Sequence, residues 1–564
     1  MKTVKELCLG VAVAGVVVGA GSALGCAVAS ATSDDAGRGD GASAADTSNA
    51  SESTARGGKA GPARQASRAA GAQQSSDTAD RTAGRAVRNT ASGGVTATDR
   101  ATVTGQSLPV SPPVNPLFPA PAPVALAAPA SATTVRASSA SRTASQVADP
   151  THVLLIGVDG VNMSKVLQYA YDEPTSGFRI LMDEGVTGTT SFVGHTTLSG
   201  PSWSTILTGA WDDKTGVFNN IFEPAPYNSW PTVINLIEYN EPDIDTAVFA
   251  NWQYINDIAE AGGYPADVND FVPFDTSWED TDDLVVDETI ELINNTSASD
   301  SAFIFSYQVA VDEAGHEAGG DSPEYRAALI NTSENIARIM AAIDAWEAAN
   351  PGQQWTVIST TDHGHQPQAG FGHGFQSPPE TASWVIFDLE GDDADDGLQN
   401  LGYSNTDITP TILDLFGIAQ RSDFDGVPLE EKADGVVAPV DLKQSLTDTL
   451  GLYGFPQAAI DFTLSVRTIV GAVPYFLNGF VEDITEFLQG VVDQEIFLIS
   501  TLAQVAELAV GFIGGALVDV TQVIAGVVAR LTGSGVIPPT DPPLPPNPGA
   551  ALLPAAAVPP SVLV

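Results

Sequence analysis

The chain has 564 residues and a net charge of −46, from 23 Lys and Arg against 69 Asp and Glu. Only ten of the bases follow Asp149, so the part that folds carries nearly all of the negative charge. A field of that sign disfavours a nucleic-acid polymer as partner, and an anionic substrate then needs a local positive source, for which bound metal is the economical choice.

Lys2 and Lys5 precede an uncharged apolar run from Leu7 to Ala31 that ends Ala-Val-Ala-Ser-Ala. That is the form of a secretory signal, assigned to residues 1–31, and it predicts a secreted or cell-envelope protein. The only cysteines, Cys8 and Cys26, lie in it, so a chain cut after Cys26 has no disulfide. Residues 32–148 are rich in Ala, Ser, Thr and Pro and poor in large apolar groups. Such a segment buries too little to offset its ordering entropy, and it is read as a disordered linker.

From Thr151 to Val158 an apolar strand runs into Asp159-Gly160, and an amphipathic stretch follows to about Met182. Ser199 to Gly209 reads as a turn entering a helix, with Pro201 at an early helical position and Gly209 as its stop. Helices are expected at Trp230–Tyr239, Leu284–Asn294, Pro323–Ala349 and Thr409–Phe416. Strands are expected at Thr246–Ala250, Ala302–Val309, Trp355–Ser359 and Ser383–Asp388. This alternation predicts an α/β catalytic domain over 149–435, a mostly parallel central sheet with helices on both faces. From about Pro439 to Leu531 apolar residues recur at helical spacing, which predicts a hydrophobic helical region at 436–534 and a Pro-rich tail at 535–564. Glu507, Asp519 and Arg530 divide the last stretch into apolar runs of about ten, short of the roughly 20 residues that a bilayer span takes. The region therefore reads as a small helical bundle packed on itself or on the catalytic domain. The alternative is association with a membrane surface or the cell envelope through these helices.

Four places carry chemistry. Asp159 follows the first strand, and Ser199 stands just before a helix N-terminus. Asp312 and His316 are four apart, which puts them on one face of a helical turn. Asp362 and His363 end the strand Trp355–Ser359, and a Gly-rich loop returns His373 in Gly-Phe-Gly-His-Gly. Open α/β sheets place their sites at such strand ends. Carboxylates and imidazoles in this mixture suit zinc, with manganese or iron as alternatives. Only six His occur, and three of them fall at these places. His365 is expected to orient a ligand by hydrogen bond. His152 and His195 are read as ordinary surface or cap residues.

The order of these pieces over about Pro150 to Leu429 resembles the alkaline phosphatase superfamily, most of all its type I phosphodiesterase/nucleotide pyrophosphatase branch. The resemblance implies two zinc ions. One would be held by Asp159, Asp362 and His363 with the nucleophile, the other by Asp312, His316 and His373. The nucleophile position falls on Ser199, where that branch usually has Thr. The branch's phosphate-binding Asn resembles Asn220 in Gly216-Val-Phe-Asn-Asn220, with Asn219 as the neighbouring alternative. The sulfatases' Cys-x-Pro-x-Arg is absent.

A metal ion lowers the pKa of a bound hydroxyl, and a helix N-terminus favours negative charge. Ser199 is thus expected to attack phosphorus in line and form a phospho-seryl intermediate, with Asn220 donating to a non-bridging oxygen. The expected substrate is a small phosphate ester or nucleotide. The alternatives are a phosphomonoesterase of the same superfamily and a catalytically silent envelope interaction protein. Oligomeric state is not legible in the sequence.

Overall fold

The structure is a computed structural model that describes residues 150–370, 372–389, 395–437, 461–494, 496 and 498–547. The signal assignment at 1–31, the linker assignment at 32–148 and the end of the Pro-rich tail lie outside the described residues. The strands are β1 (His152–Val158), β2 (Val186–Ser191), β3 (Asp245–Ala250), β4 (Val268–Phe271), β5 (Ala302–Gln308), β6 (Trp355–Thr361), β7 (Ala382–Asp388), β8 (Gln399–Asn400) and β9 (Val436–Val437). They form one mixed sheet in the order β4-β3-β5-β1-β6-β7-β2-β8-β9. β4, β3, β5, β1 and β6 run parallel, whereas β7 is antiparallel to both β6 and β2.

Every residue of β1, β5 and β6 is buried, as befits central strands covered on both faces. Successive side chains point to opposite faces. Leu154, Ile156 and Val158 of β1 enter one core, and Val153 and Leu155 enter the other. The first core is closed by helices α1 (Met163–Asp172), α2 (Gly177–Glu184), α5 (Trp278–Asn295) and α7 (Pro323–Ala349). The second is closed by α3 (Ser199–Thr208) and by Val233–Asn240, Gln253–Glu260 and Ile408–Leu415. Two short helices matter for the site: α4 (Asp212–Thr215) and α6 (Ala310–Ala318).

Several boundaries differ from the sequence reading. The amphipathic stretch after Gly160 is two helices, broken where Pro174 follows α1 and where Ser176 caps α2 by accepting from the Arg179 amide. α5 starts six residues before Leu284. The Ser277 hydroxyl accepts from the Asp280 amide, and the acidic first turn of Glu279 and Asp280 suits a helix N-terminus but hides the apolar period. β2 was not expected at all, because Val-Thr-Gly-Thr-Thr-Ser carries one aliphatic residue; it is nonetheless almost wholly buried. His152 is not a surface or cap residue. It is buried in β1, with its ring 4.7 Å from Trp346 and 5.2 Å from Trp355. His195 is partly exposed; it stacks on Trp211 at 3.8 Å and its Nδ1 lies 2.9 Å from Asp212 Oδ1.

The C-terminal region is a hairpin of two long helices, α8 (Phe462–Val492) and α9 (Ile499–Leu531). The division into apolar runs of about ten does not hold. Glu507 and Asp519 sit inside one continuous 33-residue helix, since single charges interrupt neither its backbone hydrogen bonds nor its length. Both helices are long and apolar enough to cross a membrane by length and composition. The hairpin packs on itself and also on the α/β unit. Leu464, Arg467, Thr468, Gly471 and Pro474 of α8 and Val518, Ala525 and Ala529 of α9 are buried, whereas Phe487, Leu508 and Phe512 are exposed.

Candidate metal centre

Three adjacent parallel strands end together. β1 delivers Asp159, β6 delivers Asp362 and His363, and β5 runs into α6, which carries Asp312 and His316. The turn after β1 needs Gly160, whose φ of +67° is left-handed. A Cβ there would stand 2.4 Å from Asp312 Oδ1 and 2.7 Å from Asp312 Cα. The missing side chain is what lets the β1 turn and α6 close on each other.

One cluster forms around Asp159, Asp362, His363 and Ser199. His363 Nε2 lies 3.3 Å from Asp362 Oδ2, 3.6 Å from Asp159 Oδ1 and 3.1 Å from Ser199 Oγ. His363 Nδ1 faces the Gly364 carbonyl at 3.2 Å, which assigns the proton to Nδ1 and turns the Nε2 lone pair inward. Each carboxylate has one oxygen tied and one free. Asp159 Oδ2 accepts from Trp203 Nε1 at 2.7 Å and from the Tyr307 hydroxyl, and Asp362 Oδ1 accepts from the Gly160 amide at 3.1 Å and the His363 amide at 2.9 Å. Asp159 Oδ1 and Asp362 Oδ2 are buried without a hydrogen-bond partner. Ser199 opens α3, so its hydroxyl stands at a helix N-terminus.

The second cluster forms around Asp312. His316 Nε2 is 3.2 Å from Asp312 Oδ2 and 3.1 Å from His373 Nε2. His373 Nδ1 donates to the Thr197 carbonyl at 2.6 Å, which aims its Nε2 inward. His365 makes the kind of hydrogen bond expected of it, its Nε2 meeting Asp312 Oδ1, and its own backbone amide donates to Asn162 Oδ1 at 2.7 Å. The His363 and His373 rings stack at 3.8 Å, so the clusters are neighbours. Two groups could each hold a metal ion by geometry: Asp159 with Asp362 and His363, and Asp312 with His363, His365 and His373, the second without the His316 named from the sequence.

The electrostatics show what the protein alone leaves unbalanced. Burial and the nearby Asp312 hold Asp159 well above the usual carboxylate range, and burial with Asp159 does the same to Asp362. Burial also works against the charge of Asp312, but His316 and His365 outweigh it and hold that carboxyl well below its usual range. His316 is half-exposed; burial opposes its charge, yet Asp312 lifts it to about 9. Burial drives His363 down to about 3, and burial with His363 keeps His373 well below its ordinary value. Four donors at about 2.0–2.1 Å around a tetrahedral zinc lie about 3.3 Å apart. The spacings of 3.1 to 3.6 Å, the orphaned carboxylate oxygens and the inward lone pairs fit divalent cations.

Asn220 lies beside the start of α3: its Oδ1 accepts from the Gly200 amide at 2.8 Å. Asn219 turns the other way, giving its Nδ2 to Gly471 O and Gln522 Oε1, both at 2.8 Å. The sequence reading missed the residues that hold the cluster. Trp203 had a signal, since it stands one helical turn after Ser199 on the same face. Tyr307 of β5 donates to Asp159 Oδ2, and Tyr325 donates to the Gly160 carbonyl from α7. Asp282 of α5 accepts from the Val309 and Ala310 amides, so it caps the helix that carries Asp312.

Residues 153–376 match the family model for type I phosphodiesterase / nucleotide pyrophosphatase. This is the branch of the alkaline phosphatase superfamily that the order of the sequence motifs resembles. No curated protein matches the sequence. Among solved structures, a 2-O glycosaminoglycan sulfatase aligns at 16% identity over 50% of this chain and 73% of its own, with a TM-score of 0.39. A protein described as a sulfatase, from Bacteroides thetaiotaomicron, aligns at 17% identity over 50% and 74%, with a TM-score of 0.39. The murine ectonucleotide pyrophosphatase / phosphodiesterase 5, an inactive variant in complex with AMP, aligns at 16% identity over 51% and 100%, with a TM-score of 0.37.

Proposed function

We propose that this chain is a secreted or envelope-held phosphodiesterase or nucleotide pyrophosphatase that works with two divalent metal ions, most simply zinc, and a phospho-seryl intermediate. Asp159, Asp362, His363 and Ser199 would hold one ion, and Asp312, His316 and His373 the other. The observation that carries this reading is the Ser199 hydroxyl at a helix N-terminus, 3.1 Å from an inward imidazole nitrogen and beside two orphaned carboxylate oxygens. When bound, the ions would lower the pKa of the serine hydroxyl and stabilise the attacking and leaving oxygens of an in-line displacement.

The chain's own residues do the rest. Ser199 Oγ attacks phosphorus, its O–P bond forms as the bond to the leaving alcohol or phosphate breaks, and the helix N-terminus behind it favours the negative charge. Asn220 is held by the Gly200 amide through its oxygen, and this orients its Nδ2 as a donor to a non-bridging oxygen. Water then attacks the phospho-serine from the opposite side, so two inversions give net retention at phosphorus.

A diester is favoured over a monoester because a dianion calls for a clamp of Arg or Lys. Three basic side chains are engaged elsewhere: Lys214 with Asp425, Lys165 with Asp321, and Arg467 with Asp212. The leader-like N-terminus and the apolar hairpin support an envelope location. The test is hydrolysis of bis-p-nitrophenyl phosphate against p-nitrophenyl phosphate, with metal analysis of the same sample. Faster turnover of the diester is expected; a strong monoester preference would overturn the diesterase reading, and no turnover of either by metal-loaded protein would favour a silent interaction protein.

A further inference from the structure

The hairpin α8–α9 lies outside the family match, which ends at residue 376, yet it grips the loop that carries Asn220. Between α4 and the helix at Ala225–Ser229 that loop has no regular structure, so its position is set by its contacts. At its start, Arg467 of α8 is buried and pairs with Asp212, and it also reaches the Thr532 carbonyl at the end of α9. The Gly535 amide donates to the Asp212 carbonyl at 3.1 Å, and the Ile537 amide to the Asp213 carbonyl at 3.0 Å. Gly471 of α8 lies against the Phe218 carbonyl: a Cβ there would be 3.1 Å from it.

At the far end the grip is a single side chain. Gln522 of α9 accepts from Asn219 Nδ2 at 2.8 Å and donates to Glu223 Oε1 at 2.8 Å. Its amide therefore spans Asn220, holding one residue before it and one residue three positions after it. Asn219 is buried, so loss of Gln522 leaves its Nδ2 with the Gly471 carbonyl alone, and its second donor must move to find water. Asn219 also fixes the turn, because its Oδ1 accepts from the Ile221 amide at 3.1 Å. Any shift of Asn219 passes through one peptide bond to Asn220.

We propose that Gln522 is a positioning residue of the catalytic site, and that the hairpin is a working part of the hydrolase because it sets the Asn220 amide. This rests on the assignment of Asn220 to the phosphate. The experiment compares Gln522→Ala, Asn220→Ala and the double variant in the full chain, with bis-p-nitrophenyl phosphate, metal content and thermal unfolding as readouts. Gln522→Ala is expected to lower kcat about 10-fold with KM within about 2-fold, to leave metal content at the wild-type value, and to lower the unfolding temperature by no more than about 4 °C. Because Gln522 acts through Asn220, it is expected to add less than about 2-fold in the Asn220→Ala background. Wild-type kcat in Gln522→Ala, or fully multiplicative losses in the double variant, overturns the proposal while Asn220 stands. Wild-type kcat in Asn220→Ala overturns the phosphate assignment itself, and the positioning role with it.

Discussion

Gly160→Ala tests the central geometry most directly. The new Cβ would meet Asp312 Oδ1 at 2.4 Å and both Asp312 Cα and Cβ at 2.7 Å. Ordinary carbon contacts are about 3.5–4.0 Å, so either the β1 turn or the first turn of α6 must retreat by roughly 1 Å. The backbone cannot absorb this locally, because Gly160 is at φ +67° and the Asp362 carboxylate holds its amide. The left-handed conformation itself costs about 1–2 kcal/mol for Ala. A misplacement of about 1 Å between catalytic groups lowers rate by about 10²-fold. The expected outcome is kcat/KM for bis-p-nitrophenyl phosphate down about 10²-fold, with metal lost at lower chelator concentration than from wild type. Gly352→Ala is the control: that residue is also left-handed, at φ +90°, but has nothing within 4 Å of its would-be Cβ. It should share the conformational cost and keep full activity. Gly160→Ala with wild-type kcat/KM and chelator resistance would refute a centre that depends on the close approach of the Asp312 and Asp362 clusters, and equal activity losses in the two variants would show that backbone strain alone is responsible.

Further outcomes follow from named contacts. Ser199→Ala should abolish turnover while metal stays bound; undiminished turnover would remove the nucleophile. His373→Ala should lower metal content, read by metal analysis after dialysis, and a wild-type count would contradict its place as a ligand. Trp203→Phe removes a donor to Asp159 Oδ2 and should weaken metal binding about 10-fold in chelator competition, with no change expected if that oxygen needs no tether. Asp282 supplies a pH signature. Burial pushes its carboxyl up to about 7, despite donors at Asn251, Val309 and Ala310. Between about 4, its unfolded value, and 7 the folded protein holds the extra proton, so stability falls as pH rises through that window. Denaturant midpoints of Asp282→Asn and wild type from pH 4 to 8 should therefore diverge, with wild type losing about 1.4 kcal/mol per unit relative to the variant; the opposite slope would refute the shift.

Some of this protein was legible without coordinates. Strands with a β-branched run, such as Trp355–Thr361, and helices with a Ser-Pro start, such as Pro323–Ala349, follow from interactions within a few residues. Asp312 and His316 share a helix face because the helical period demands it. Parallel strands ending in Asp159, Asp362 and His363 pointed to one end of the sheet, since chain direction places ligands there.

Tertiary structure alone decided the rest. β2 is a strand because neighbours pair with it, and Thr190 finds Asn405 215 positions away. His152 is buried because Trp346 and Trp355 fold over it. Which way the Asn219 and Asn220 amides turn is set by Gly200 on one side and by Gly471 and Gln522 on the other. Local sequence encodes backbone period and strand direction, whereas the partner of a buried polar group is set by whichever distant segment the fold brings within about 3 Å.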